Sequence, residues 1–268
     1  MKDNRFLTNK YTLSAIILLA CLAADIILHK GMSRVIIPST FTDKRKPQRF
    51  QSCAATLITT SKYWIKAVDN TTLMEGLPAT TAGFECDVYF NKTLNHFQVY
   101  HDSAHLSELD ADSLLAVYKK RNLSASVWFD FKNLDASNAS ASLKVAMQLR
   151  RKYGLENKLI IESSSPENLR AFCDSGFFTS YYVPYFNPYL ITEDDLIYNL
   201  DSITNNLKKY PVAALSGYYF QYPVLKKYFP NFPILTWTDK SDISLISKLF
   251  NTHLENDAQI KIVLYPYQ

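Results

Sequence analysis

The chain has 268 residues, 47% of them hydrophobic and 20% charged, with a net charge of +4. That is long enough to bury a full-sized core, and six glycines against eighteen tyrosines and sixteen phenylalanines exclude a low-complexity or disordered chain. Part of the positive excess sits at Lys44-Arg45-Lys46 and Arg49, a juxtamembrane patch or a solvated linker, so no nucleic-acid partner is expected.

Lys2, Arg5 and Lys10 precede an apolar run from Tyr11 to Leu28 in which Asp25 is the one charge. At about 18 residues the run meets the lower limit for a bilayer-spanning helix. It reads as an uncleaved single-pass anchor with the following domain on the extracytoplasmic side. A cleaved signal peptide ending near Ala23-Ala24 is the main competing reading. Leu18-Leu-Ala-Cys21 resembles a lipobox, but the apolar run continues past Cys21 where a lipoprotein turns polar. The expected division is a membrane anchor or signal segment at 1–30, a basic linker with a short lead-in helix at 31–60, and one domain at 61–268.

Past residue 60, short β-rich runs alternate with helical ones, which predicts βα units and a parallel sheet. The expected strands are Trp64–Val68, Gly83–Tyr89, Val127–Phe131, Leu159–Glu162, Thr179–Val183, Val212–Ser216, Ile234–Trp237 and Ile260–Leu264. Expected helices are Ser137–Tyr153, stopped by Gly154; Pro166–Cys173, opened by proline; one capped at Thr192-Glu-Asp-Asp195; and Ser241–Phe250. His96–His101 follows the second strand too closely for a parallel crossover and is expected to form an antiparallel hairpin with it. The remaining eight strands are the number that closes a (β/α)8 TIM barrel. None of the four cysteines has CxxC or Cys/His spacing, which argues against structural zinc. Cys53 and Cys173 are expected to be buried free thiols, with a bridge between them as the alternative.

The second strand reads Gly83-Phe-Glu-Cys-Asp87, so Glu85 and Asp87 share one face, expected to point into the barrel. In Trp128-Phe-Asp-Phe-Lys132, Asp130 and Lys132 share a face, and the fourth strand ends in Glu162. Three consecutive strands thus end in acids at the carboxyl side, where barrel active sites lie. Two inward carboxylates are costly without a cation or a hydrogen-bond network, and these hard oxygen donors suit Ca²⁺ or Mg²⁺. A salt-bridged mouth neutralised by Lys132 is the plainer reading. His101, at the hairpin's end, can reach the same mouth as a general acid.

The ordered set Glu85-x-Asp87, His101-Asp102, Asp130-x-Lys132 and a fourth strand ending in acid and Ser resembles the glycerophosphodiester phosphodiesterases of the phospholipase-C-like superfamily. Thr236-Trp237-Thr238 resembles the Trp-Thr pair on that family's seventh strand. The resemblance implies a divalent cation on Glu85, Asp87 and Asp130, His101 as one catalytic histidine and Lys132 as a phosphate contact. Glu162 completes the expected acidic set. The family's first strand ends in His-Arg-Gly, whereas this one reads Trp64-Ile-Lys66-Ala-Val-Asp69-Asn70. Lys66 therefore stands where the first catalytic histidine belongs, and Asp130 replaces the usual Glu. Val68-Asp-Asn70, Asp130-Phe-Lys-Asn-Leu134 and Thr179–Pro184 look closer to a divergent menorin-like branch of the superfamily, which includes extracellular interaction proteins. The expected function is that of a membrane-anchored phosphoric diester hydrolase acting on a small glycerol-phosphate or lipid-derived diester. The alternative is an inactive barrel serving as an extracytoplasmic binding or adhesion module. Glycoside hydrolysis fits the fold but leaves Lys132 and His101 unexplained.

Overall fold

A computed structural model describes residues 4–37, 45–101, 108–238 and 243–267. The strands are β1 (Tyr63–Lys66), β2 (Gly83–Asn91), β3 (His96–Val99), β4 (Ser126–Phe131), β5 (Leu159–Ser163), β6 (Phe178–Tyr182), β7 (Ala214–Tyr218), β8 (Ile234–Trp237) and β9 (Ile260–Pro266). All but β3 run parallel, and because β1 pairs with both β2 and β9 they close into the expected eight-stranded barrel. β3 folds back on β2 as the expected antiparallel hairpin, with Val88 opposite Val99 and Asn91 opposite His96.

The helices are α1 (Asn4–Leu28), α2 (Lys30–Ile36), α3 (Thr71–Gly76), α4 (Ala111–Lys120), α5 (Ala139–Tyr153), α6 (Pro166–Asp174), α7 (Glu193–Lys209), α8 (Tyr222–Tyr228) and α9 (Leu245–Asn256). Their ends follow the local chemistry. Gly154 takes the left-handed conformation at φ 64° that closes α5, and the Thr192 hydroxyl accepts from the Asp195 amide to open α7. α9 starts later than its sequence pattern indicates, because Ser244 is the residue that caps it; Ser241 lies outside the described residues. Helices α3, α4 and α8 are six to ten residues long, too short to show helical periodicity.

Two apolar layers hold the barrel. The shell between strands and helices is large and aromatic, with Phe84, Phe129 and Phe172 fully buried. The interior of the amino half is a separate plug of Trp64, Trp128, Ile160, Phe178 and Leu235. Gly83 makes room for it, since a Cβ there would lie 2.1 Å from the Trp64 ring.

The segment at 31–60 does more than link. Met32 and Val35 of α2 join the outer core, and Cys53 and Leu57 pack on the interior plug. Cys53 donates its amide to the Val212 carbonyl at 3.0 Å, and its Cα lies 5.9 Å from that of Cys173, with which it forms a disulfide. This corrects the expectation of two free thiols. The partners are 120 residues apart, so only the closed barrel brings them together. Cys86 is buried and free.

Candidate functional site

Parallel register builds the mouth. Asp87 pairs with Asp130, Asp130 with Glu162, and Glu162 with Ser180, so the acids of β2, β4 and β5 stand side by side in one layer. Glu85 lies one layer deeper, beside Trp128. Phe84 and Cys86, the alternate residues of β2, are buried in the outer shell. One carboxylate oxygen each from Glu85, Asp87 and Asp130 falls within 4.8 Å of the others.

Lys132 reaches back over this layer. Its ammonium lies 2.6 Å from Asp87 Oδ1 and also pairs with Asp130 Oδ2. His101 Nε2 stands 3.8 Å from Asp87 Oδ2 on a side chain 70% exposed. Asp102, the next residue, lies outside the described residues. Lys66 ends β1 and faces the same space. All seven residues singled out in the sequence (Lys66, Glu85, Asp87, His101, Asp130, Lys132 and Glu162) line one cavity of about 120 Å³, closed on the far side by Tyr182, Tyr218 and Trp237. A larger hollow of about 690 Å³ lies at the opposite, amino end between residues 59–62, 230–233 and 258–261. It holds no acid or histidine, so its size does not make it the site.

The turn after β1 buttresses the acids. Ala67 sits at φ 57°, a costly conformation for a residue with a Cβ, and from there donates its amide to Glu85 Oε2 at 2.8 Å. The Val68 amide bonds to the Glu85 carbonyl at 2.8 Å, and Asp69 Oδ1 accepts from the Asp87 amide at 2.9 Å. Asp69 is thus a further mouth acid that the sequence pattern missed. Strand alternation stops at the left-handed Ala67 and cannot be counted through it. Tyr182 and Tyr218 were missed too, although each closes its strand at the carboxyl end, as Glu162 nearly does in β5.

Crowding of acids in a buried mouth disturbs their titration. Burial, followed by repulsion from Asp87 and Asp130, holds the Glu85 carboxyl well above its usual range. Burial and then Asp130 do the same to Glu162. Asp130 is raised chiefly by burial, partly opposed by Lys132. Asp69 is pushed up to about 6 by burial and then by Asp87. For Lys132 burial disfavours the charge, but Asp130 and Asp87 outweigh it and hold the ammonium protonated. The Ser216 and Ser180 hydroxyls beside the Glu162 carboxylate only partly offset its burial. Convergent hard oxygens with too little positive charge around them fit a divalent cation.

No protein-family model matches the sequence, and no curated protein matches it. Solved structures do match the fold. A glycerophosphodiester phosphodiesterase from Parabacteroides distasonis ATCC 8503 aligns with a TM-score of 0.50 at 13% identity, covering 82% of this chain and 94% of that one. A protein from Silicibacter pomeroyi DSS-3, assigned by name to the glycerophosphoryl diester phosphodiesterases, aligns at 0.51 and 10% identity over 80% and 92%. At such low identity the likeness concerns the fold alone: the closed, eight-stranded parallel barrel is one that these phosphodiesterases share.

Proposed function

We propose that the protein is a membrane-anchored, cation-dependent phosphodiesterase acting on a glycerol-phosphate or lipid-derived diester. The observation that carries this reading is the meeting of Glu85, Asp87, Asp130, Lys132 and His101 in one cavity at the carboxyl end of a barrel of this fold. Glu85, Asp87 and Asp130 would hold Ca²⁺ or Mg²⁺, with Glu162 behind them. A cation there supplies Lewis-acid polarisation of a phosphoryl oxygen.

The chain's own groups have separable tasks. Lys132, fixed as an ammonium, and Lys66 face the charged oxygens of the diester. His101, the exposed group next to Asp87, gives a proton to the departing alkoxide. Tyr182, Tyr218 and Trp237 form an apolar wall opposite the acids and limit water in the cavity. The Cys53–Cys173 bridge supports an oxidising, extracytoplasmic location for the barrel, and the apolar stretch Lys10–Leu28 supports its attachment to a membrane.

One observation favours the second reading, an inactive binding or adhesion module. Lys132 already occupies the position between Asp87 and Asp130, and β1 ends in Lys66 with no histidine beside it. Hydrolysis of glycerophosphodiesters and of a generic aryl phosphodiester, with Ca²⁺ or Mg²⁺ added, decides between them. In an enzyme, His101→Ala lowers turnover by ~10²–10⁴, the usual loss for a general acid. Background rates for wild type under every metal condition would leave the binding module standing. Wild-type turnover that survives His101→Ala intact would remove His101 from its role.

A further inference from the structure

The anchor does not leave the barrel at an arbitrary place. In a βα barrel each helix begins at the carboxyl ends of the strands, so the first turn of α9, after β8, marks the rim that holds the acidic mouth. Asp25, near the end of α1, is fastened there. Its Oδ1 accepts from Ser244 Oγ at 2.7 Å and its Oδ2 from the Ile246 amide at 3.1 Å, while His29 Nδ1 lies 2.9 Å from Oδ1. The helical ladder continues across the junction, with the His29 amide on the Asp25 carbonyl and the Ser33 amide on the His29 carbonyl. Beyond this point α2 packs its Met32 and Val35 into the barrel's outer core.

The 19-residue apolar stretch Lys10–Leu28 is long enough for about 28 Å of hydrocarbon. Asp25, its lone acid, lies three residues from its end, within about one 5.4 Å helical turn of the bilayer boundary. A carboxylate at that depth needs polar partners. Here they are the first turn of α9, which must therefore come to the membrane surface and bring the carboxyl rim with it.

The exposed apolar side chains of the same rim agree. Ile243, just before α9, is 98% exposed; Leu190 and Tyr185, after β6, are 74% and 64% exposed; Leu94, at the tip of the β2–β3 hairpin across the mouth, is 59% exposed. Large exposed side chains at loop tips on both sides of one opening, continuous with a bilayer-spanning helix, match an interfacial lipid contact.

We infer that the barrel sits mouth-down, with its carboxyl rim resting on the lipid surface and the hairpin tip and the loops after β6 and β8 dipping into the headgroup layer. The occupant of this surface is the bilayer, so the acidic cavity opens toward lipid headgroups and not toward bulk solution. This rests on α1 being a retained anchor and is independent of whether the mouth is catalytic.

The test uses the full chain, with Cys21→Ser to remove the exposed thiol, in liposomes of phosphatidylcholine and phosphatidylglycerol that include a nitroxide-headgroup lipid. A fluorophore is placed at Leu94→Cys or Ile243→Cys on the rim, and at Thr60→Cys on the amino face. All three are exposed positions, and circular dichroism checks that each variant is folded. Both rim labels are expected to be quenched several-fold more than the label at position 60. Equal quenching, or stronger quenching at position 60, overturns the orientation. Flotation of the liposomes separates the two failures: a chain that does not float overturns the anchor and the orientation with it, whereas one that floats without rim quenching overturns the orientation alone.

Discussion

The floor and the mouth of the barrel are built by the same strands two residues apart and obey opposite rules. In β4 and β5 the lower inward positions hold Trp128 and Ile160, dry and closely packed, and in β2 Gly83 lies deeper still against Trp64, with Glu85 the one acid level with Trp128. The upper inward positions of the same strands hold Asp87, Asp130 and Glu162, whose charges repel and are only partly answered by Lys132. Fold stability is concentrated below, and unsatisfied electrostatics above. A ligand that brings positive charge therefore has free energy to gain at the mouth and none at the floor.

The floor carries the largest expected effects. Trp64→Ala removes a fully buried ring and is expected to cost about 3–5 kcal/mol in urea unfolding, with added Ca²⁺ or Mg²⁺ unable to close the gap. Opening the Cys53–Cys173 bridge by Cys173→Ser is expected to cost about 2–4 kcal/mol, because the bridge closes a loop spanning 120 residues; denaturation with and without reductant measures it.

At the mouth the effects are smaller and depend on cations. Lys132→Met leaves Asp87 and Asp130 facing each other. It should cost about 2 kcal/mol in chelator, discounted from a fully buried pair because the lysine is 28% exposed. Millimolar Ca²⁺ or Mg²⁺ should recover most of that loss, and melting curves in the two conditions decide. A variant that is equally unstable with and without metal would argue against a cation site on these acids.

The smallest expected effect is a pH slope of unusual sign. Asp69 titrates near 6 in the fold against 3.8 for an unperturbed group, so between those values the folded chain holds the extra proton. Stability from this group is complete below about 4 and is lost as pH rises through 6. Asp112 and Asp257 shift downward and pull the opposite way, but they cancel in a comparison of wild type with Asp69→Asn. The asparagine keeps the acceptor for the Asp87 amide. Undiscounted, a move from 3.8 to about 6 is worth about 3 kcal/mol. Solvent screening at this part-exposed side chain cuts it to about 1 kcal/mol. The melting temperature of the variant should therefore gain about 2–4 °C on wild type between pH 4 and 7, and a constant offset would refute the assignment.

Much of this was legible in the residues. Period-two alternation at Glu85 and Asp87, and again at Asp130 and Lys132, is a property of extended backbone alone, so the inward acids were readable before any fold was known. Spacing too short for a parallel crossover announced the β2–β3 hairpin, and the apolar run after Lys10 announced a helix able to span a bilayer. What tertiary structure decided were relations between distant segments. Only strand register set Asp87, Asp130 and Glu162 level with one another, and only the closed barrel brought Cys53 to Cys173. A left-handed Ala67 turned Asp69 into the mouth, where periodicity has no meaning. Asp25, merely an odd charge in an apolar run, acquired its role when α9 presented Ser244 and the Ile246 amide to it. Local sequence determines which way a side chain points along its own strand or helix, whereas the partner it meets is set by register and closure, which depend on the whole chain.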